Sequence, residues 1–200
     1  VWNGGCDPSK TLSDRLSDFS KWRSVHRSAD KAALWHLMTG CAHSSSSGKG
    51  EGTPESDASA GREVGLSWID TVGVRLLRVS STGKYISGTA VNTLDGSSLI
   101  QVVLHELGHN LGAGHDCARH CQCVDMVTCR DCCPCPSDRS SCDCGGQYLM
   151  NPTTNMASLD FSPCTARQIC ASLHQHPNHL HDYREAVIRH RVHRPQEPVC

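Results

Sequence analysis

Residues 11–27, TLSDRLSDFSKWRSVHR, place Leu12, Leu16, Phe19 and Trp22 at steps of four, three and three. That spacing lines one helical face and predicts a helix. Residues 32–41, AALWHLMTGC, form a short apolar run closed by Thr-Gly, which reads as a buried strand or as the end of a helix. Residues 44–61 are rich in Ser, Gly, Glu and Asp with one Pro, the composition of a flexible surface loop. The apolar pattern resumes in EVGLSWID (63–70), a predicted strand, and VRLLRVS (74–80) extends or pairs with it. Gly83 and Gly88 punctuate a turn around a further short strand in ISGTAVNT. Ser97 or Ser98 caps a helix over SLIQVVLHELGHNL, with Ile100, Val103, Leu104, Leu107 and Leu111 as its core-facing stripe. A Met-containing turn, QYLMNP, and a last helix near 165–173 follow. Beyond Pro177 the pattern dissolves into His, Arg and Pro, and no internal repeat is visible.

Composition narrows this picture. Two hundred residues suffice for one domain and barely for two. Aromatics make up only 4%, so the core must rest on Leu, Val, Ile and Ala. A formal net charge of −1 implies no basic surface for nucleic acid. No apolar run approaches the ~18 residues of a membrane span. Of 14 cysteines, nine fall between Cys117 and Cys144. That density points to an oxidising compartment and disulfides, hence a secreted protein or an ectodomain. The rival is a zinc ribbon, which wants paired CxxC units; the CxC and CCxC spacings here fit it poorly, and order alone does not define a pairing.

The chemistry concentrates in HELGHNLGAGHD, residues 105–116. His105 and His109 are four apart, so a helix stacks them on one face, where two imidazoles can grip one cation. Zinc suits imidazole ligands. Glu106 projects about a quarter-turn away, able to reach a water on the metal without occupying the metal. Gly112 lets the backbone leave the helix sharply, so that His115 can return as a third ligand. Three neutral nitrogens leave one tetrahedral position for water, whose pKa zinc lowers to about 7. Glu106 is then the general base that takes the proton and passes it to a leaving amine, the reaction being peptide hydrolysis.

HExxHxxGxxHD resembles the metzincins, and the Asp after the third His points within them to the adamalysin/reprolysin group, the M12B catalytic domains of ADAM-type and snake-venom metalloproteases. YLMNP resembles their Met-turn, with Met150 as an apolar floor under the three imidazoles. CDCGGQYLMNP and FSPCTARQIC are similar to the region after that turn in fungal-type members; DRLSDFSKWR and LWHLMTGC resemble the family's helix and following strand. The resemblance implies an α/β (α+β) metzincin-like fold: a partial, twisted, mostly parallel sheet with an active-site helix, and a small irregular disulfide-rich C-terminal subdomain. It assigns residues 1–173 to a partial catalytic domain, with 1–112 above the cleft and the Cys-rich 113–173 below it, and residues 174–200 to an irregular tail. It implies one Zn2+ per chain and protein or peptide substrates; a structural Ca2+ is neither indicated nor excluded. It also puts Gly65, Leu66, Ser67 and Trp68 at the sheet edge where a substrate strand would add, with Trp68 in the core or in the cleft wall.

The chain departs from the family at two places. About a hundred residues precede the motif, fewer than the family's first strands require, and the chain opens at VWNGGC, so N-terminal truncation is expected. After GLSWI, where the family often carries Cys, the sequence reads DTVGVR. Besides an active zinc endopeptidase, the residues therefore admit a truncated remnant that binds zinc without proteolysis and a disulfide-rich structural module.

Overall fold

The computed structural model describes residues 5–7, 9–26, 32–41, 55–59, 62–75, 77–78, 82–94, 99–116, 148–151 and 158–175. Helix α1 spans Leu12–Val25. Thr11 starts it through a capping box: its hydroxyl accepts from the Asp14 N–H, and its own N–H donates to the Asp14 carboxylate, both at 3.1 Å. Leu12, Leu16 and Phe19 are buried as their spacing predicts, and Trp22 stacks on Phe19. Strands β1 (Trp35–Thr39), β2 (Glu55–Ser59), β3 (Arg62–Ser67), β4 (Leu77–Arg78), β5 (Tyr85–Ile86) and β6 (Thr89–Thr93) follow, then α2 (Leu99–Asn110) and α3 (Pro163–Gln175).

The main sheet has the order β1-β6-β3-β2, while β4 and β5 form a separate two-stranded ribbon. Among the described residues only β1 and β6 pair in parallel; β3–β6 and β2–β3 are antiparallel. The expected mostly parallel sheet is thus corrected to a mixed one. For β2–β3 the cause is connection length: two residues separate the strands, and a parallel crossover needs roughly a dozen or more. The surface-loop reading of 44–61 fails at β2, where pairing with β3 overrides poor strand propensity. Nor does 74–80 extend β3, because Leu77 and Arg78 pair with Ile86 and Tyr85. Among the described residues no helix is long and apolar enough to cross a membrane.

Strand alternation divides the two faces of β3. Leu66 and Trp68 join Leu12, Leu16 and Val91 in a core on the α1 side. Gly65 and Ser67 face α2, where Glu106 and Val102 lie. A second apolar cluster, Ala113, Met150 and Ile169 with Leu111, Phe161 and Leu173 against it, joins the end of α2 to α3. Cys6 and Cys41 are bridged across 5.2 Å between Cα atoms, and Cys164 and Cys170 of α3 each take part in a disulfide. The cysteine-rich stretch 117–144 and the tail beyond 175 lie outside the described residues, as do the candidate caps Ser97 and Ser98.

Arg23 holds the α1 face together. Its Nη1 donates to the carbonyls of Val74 (3.1 Å) and Gly88 (2.7 Å), and its Nη2 to those of Ala32 (2.9 Å) and Ala33 (3.0 Å). A planar fork serves four acceptors from three chain segments, which an ammonium cannot imitate. Arg23→Ala would remove four charge-assisted hydrogen bonds, although the carbonyls of Gly88, Ala33 and Val74 each keep a backbone N–H donor, and is expected to cost about 3 kcal/mol, or roughly 6–12 °C in Tm. Arg23→Lys should recover little of it. Thermal unfolding followed by circular dichroism checks this; a shift below about 2 °C would refute the role.

Candidate metal centre

Helix α2 turns Val102, His105, Glu106 and His109 inward, positions related by i, i+3, i+4 and i+7. The predicted apolar stripe is therefore corrected: Ile100 is 69% exposed, and Val103, Leu104 and Leu107 are only half-buried. The reason lies in the facing strands, whose small and polar residues on that side, Gly65 and Ser67 among them, accept the polar flank of the helix.

The C-terminus of α2 is heavily tied. Asn110 accepts from the N–H groups of Thr71 (2.9 Å) and Val72 (3.1 Å), and the Asp70 N–H reaches the His109 carbonyl at 3.0 Å. Asn110 Nδ2 donates to the Trp68 carbonyl (2.8 Å), Thr71 Oγ1 (3.1 Å) and the Thr89 carbonyl (3.2 Å). The helix then closes with a Schellman motif: Ala113 N–H bonds the Gly108 carbonyl, and Gly112 N–H that of His109. Gly112 stands at φ +100°, as its place in the motif predicts, and a Cβ there would meet Ser172 at 2.5 Å. The chain reverses and brings His115 back.

The three Nε2 atoms form a nearly equilateral triangle: 3.0 Å between His105 and His109, 3.2 Å between His109 and His115, and 3.1 Å between His115 and His105. Tetrahedral zinc at about 2.0–2.1 Å from each nitrogen needs separations of about 3.3–3.4 Å. Small ring movements close that gap, so the donor set fits the ion. Protonation supports the fit. His105 Nδ1–H donates to the Leu149 carbonyl and His109 Nδ1–H to the Ala113 carbonyl, each at 2.7 Å. A carbonyl only accepts, so in the neutral rings each Nε2 carries a lone pair. Burial, and next the neighbouring His115 and His105, hold His109 well below the ordinary 6.5 and therefore neutral. Lone pairs converging at this spacing repel one another, and a shared cation relieves it. His105 and His109 are buried and His115 is half-buried.

Other elements fix this arrangement. Met150 packs with Ala113 and Ile169, and its sulfur sits where a Cβ on Gly108 would be, so the turn at 149–150 holds both the His105 ring and the α2 backbone. Asp116 N–H donates to the Met150 carbonyl at 2.7 Å, and its Oδ1 accepts from Ser162 (2.8 Å) and Thr165 (2.9 Å). Ser162 also caps α3 by accepting from the Thr165 N–H, and Pro163 occupies the first helical position. Burial raises the Asp116 carboxyl, against the lowering pull of those two hydroxyls.

Glu106 is fully buried, and the Ser67 hydroxyl donates to its Oε2 at 2.5 Å. The expectation that residues 65–68 form an open substrate edge is corrected. Gly65, Leu66 and Ser67 pair with Asn92, Val91 and Ala90 on one side and with Asp57, Ser56 and Glu55 on the other. Leu66 and Trp68 belong to the core, and the indole N–H donates to Ser20 Oγ at 3.0 Å, so Trp68 is no cleft wall. Sequence reasoning missed Asn110 as a clamp. It also took Asp116 only as a mark of kinship.

Residues 53–176 match the family described as Metallo-peptidase family M12B Reprolysin-like. The chain is 35% identical over 175 residues to the disintegrin and metalloproteinase domain-containing protein B of Aspergillus fumigatus, covering 86% of this chain and 19% of that protein. The protein of the same name from Arthroderma otae is 35% identical over 185 residues, covering 85% and 19%. The zinc metalloprotease mde10 of Schizosaccharomyces pombe is 43% identical over 70 residues, 34% of this chain and 13% of that one. The chain thus spans about a fifth of the length of the first two relatives. With a family match across most of its length and a three-histidine group of the right chemistry, the chain belongs to the reprolysin-like M12B metallopeptidases.

Proposed function

We propose that the chain carries the catalytic centre of a zinc-dependent endopeptidase, with residues 1–173 as a partial catalytic domain. His105, His109 and His115 hold one zinc ion, and Met150 backs the helix that carries two of them. Zinc in such a site supplies Lewis acidity, polarising a carbonyl and lowering the pKa of water to about 7. Glu106 takes the proton of the attacking water and returns it to the leaving amine. The observation that carries this reading is the Nε2 triangle with 3.0–3.2 Å sides, two of whose rings are locked by carbonyls into the tautomer that leaves Nε2 unprotonated. Substrates are proteins or peptides, and the parent protein is extracellular or membrane-anchored.

A second reading, a zinc-holding chain without turnover, is favoured by two features. Glu106 is fully buried, and β2 occupies the outer side of β3. One experiment separates the two. The purified chain is loaded with zinc and incubated with quenched fluorescent casein or gelatin. The protease reading expects cleavage that o-phenanthroline abolishes and added zinc restores; one bound zinc per chain without cleavage selects the second reading.

A further inference from the structure

We propose that Ser67 is a positioning residue for Glu106, fixing the orientation of the carboxylate used in peptide hydrolysis; the proposal rests on the protease reading above. Ser67 lies on the α2-facing side of β3, opposite Ala90 of β6, and is fully buried, as is Glu106. Its hydroxyl donates to Oε2 at 2.5 Å across 39 residues of sequence. Two residues earlier on the same face, Gly65 leaves a hollow for the other oxygen: a Cβ there would stand 2.5 Å from Oε1 and 2.6 Å from Val102 Cγ1. One strand therefore acts on both carboxylate oxygens, by a donor on one and by absent bulk beside the other.

The physical need is torsional. A glutamate has three rotatable bonds, and the last is broad and roughly two-fold, so the helix alone does not set the plane of its carboxylate. A base misplaced by about 1 Å can cost of the order of 10²-fold in rate. A short hydrogen bond from a residue anchored on both sides in a sheet sets that plane without touching a peptide. Ser67 is thereby reassigned from a substrate-edge candidate to a support for the base. The pattern GLSWI shows an alternating strand but not which side chain of another element its hydroxyl meets.

The test uses the zinc-loaded chain with Ser67→Ala and Ser67→Thr. Ser67→Ala is expected to lower kcat about tenfold with KM within about twofold and zinc content unchanged, since an interaction with the base acts on the chemical step rather than on binding. Ser67→Thr keeps the hydroxyl in a side chain that suits a strand and is expected to stay within about threefold of the parent. A second readout needs neither metal nor activity. In the metal-free chain, the change in Tm caused by Ser67→Ala should largely vanish in a Glu106→Ala background, as a double-mutant cycle requires of touching residues. An active parent with kcat untouched by Ser67→Ala, or with Thr no better than Ala, overturns the positioning role alone. Additive Tm changes overturn the contact. A zinc-loaded parent that cleaves nothing overturns the protease reading, and this proposal with it.

Discussion

Glu106→Gln is expected to lower kcat by about 10²–10⁴-fold, the usual contribution of a positioned general base, while leaving one zinc per chain. The amide keeps the volume of the carboxylate, and its oxygen can still accept from Ser67, so the packing against Gly65 and Val102 survives. What it loses is the capacity to take a proton. Because Glu106 is fully buried, removing its charge also removes a desolvation cost, so Tm should hold or rise. Turnover of quenched casein, zinc by atomic absorption and thermal unfolding are measured on the same preparation. Retention of more than about a tenth of the parent kcat would mean that another group serves as base. A loss of zinc together with activity would mean that Glu106 shapes the metal site rather than the reaction.

The candidate metal centre was legible because its chemistry is local. Two ligands and the acid sit within five residues, and helical periodicity alone stacks the two histidines. The bend at Gly112 and the return of His115 followed from one glycine and three residues of spacing, and the Schellman hydrogen bonds bear this out. Helix α1 was equally readable, because its apolar steps and the Thr11–Asp14 capping box are both short-range signals. Strand positions came through where apolar residues cluster, in β3 and β6, while the run holding β1 read equally as a strand or a helix end.

Features that depend on distant partners did not come through. Sheet direction is decided by which strands meet; β3 pairs with β6 across a 21-residue connection that spends itself on the β4–β5 ribbon. The residues of β2, ESDAS, carry no strand propensity, and their pairing is owed to β3. The stripe on α2 misled because apolar periodicity assumes an apolar partner surface. Here the partner strands present Gly65 and Ser67, and the helix buries its histidines and glutamate there. The roles of Asn110 and Asp116 have the same origin. Each closes hydrogen bonds with segments 20 to 50 residues away, such as Thr89 and Thr165, and no local pattern reports them.

Acid is expected to destabilise the metal-free chain and to strip zinc over the same range. Burial lowers both His36 and His109 from 6.5; for His36 the nearby Asn110 side chain opposes it, and for His109 the neighbouring imidazoles add to it. In the unfolded chain these rings take up protons near 6.5, while in the fold they do so only at lower pH. The unfolded state therefore binds more protons just below that value, and stability falls as pH drops through it, by up to about 1.4 kcal/mol per pH unit for each ring. Above 6.5 both states are neutral at these positions and stability is flat. Asp116, raised by burial, acts in the opposite sense, in a window that begins lower, at 3.8. Zinc needs the three rings unprotonated, so its affinity declines on the same side. At about pH 7.5, zinc at a thousandfold excess over its Kd should add about 4 kcal/mol, or roughly 8–16 °C in Tm. His109→Ala should abolish that gain. Melting curves at about pH 7.5 and pH 5.5, with zinc and with chelator, decide the matter. A metal-free Tm that holds or climbs on acidification would contradict the burial argument for His36 and His109, and a zinc-independent Tm at about pH 7.5 would remove the metal from the site.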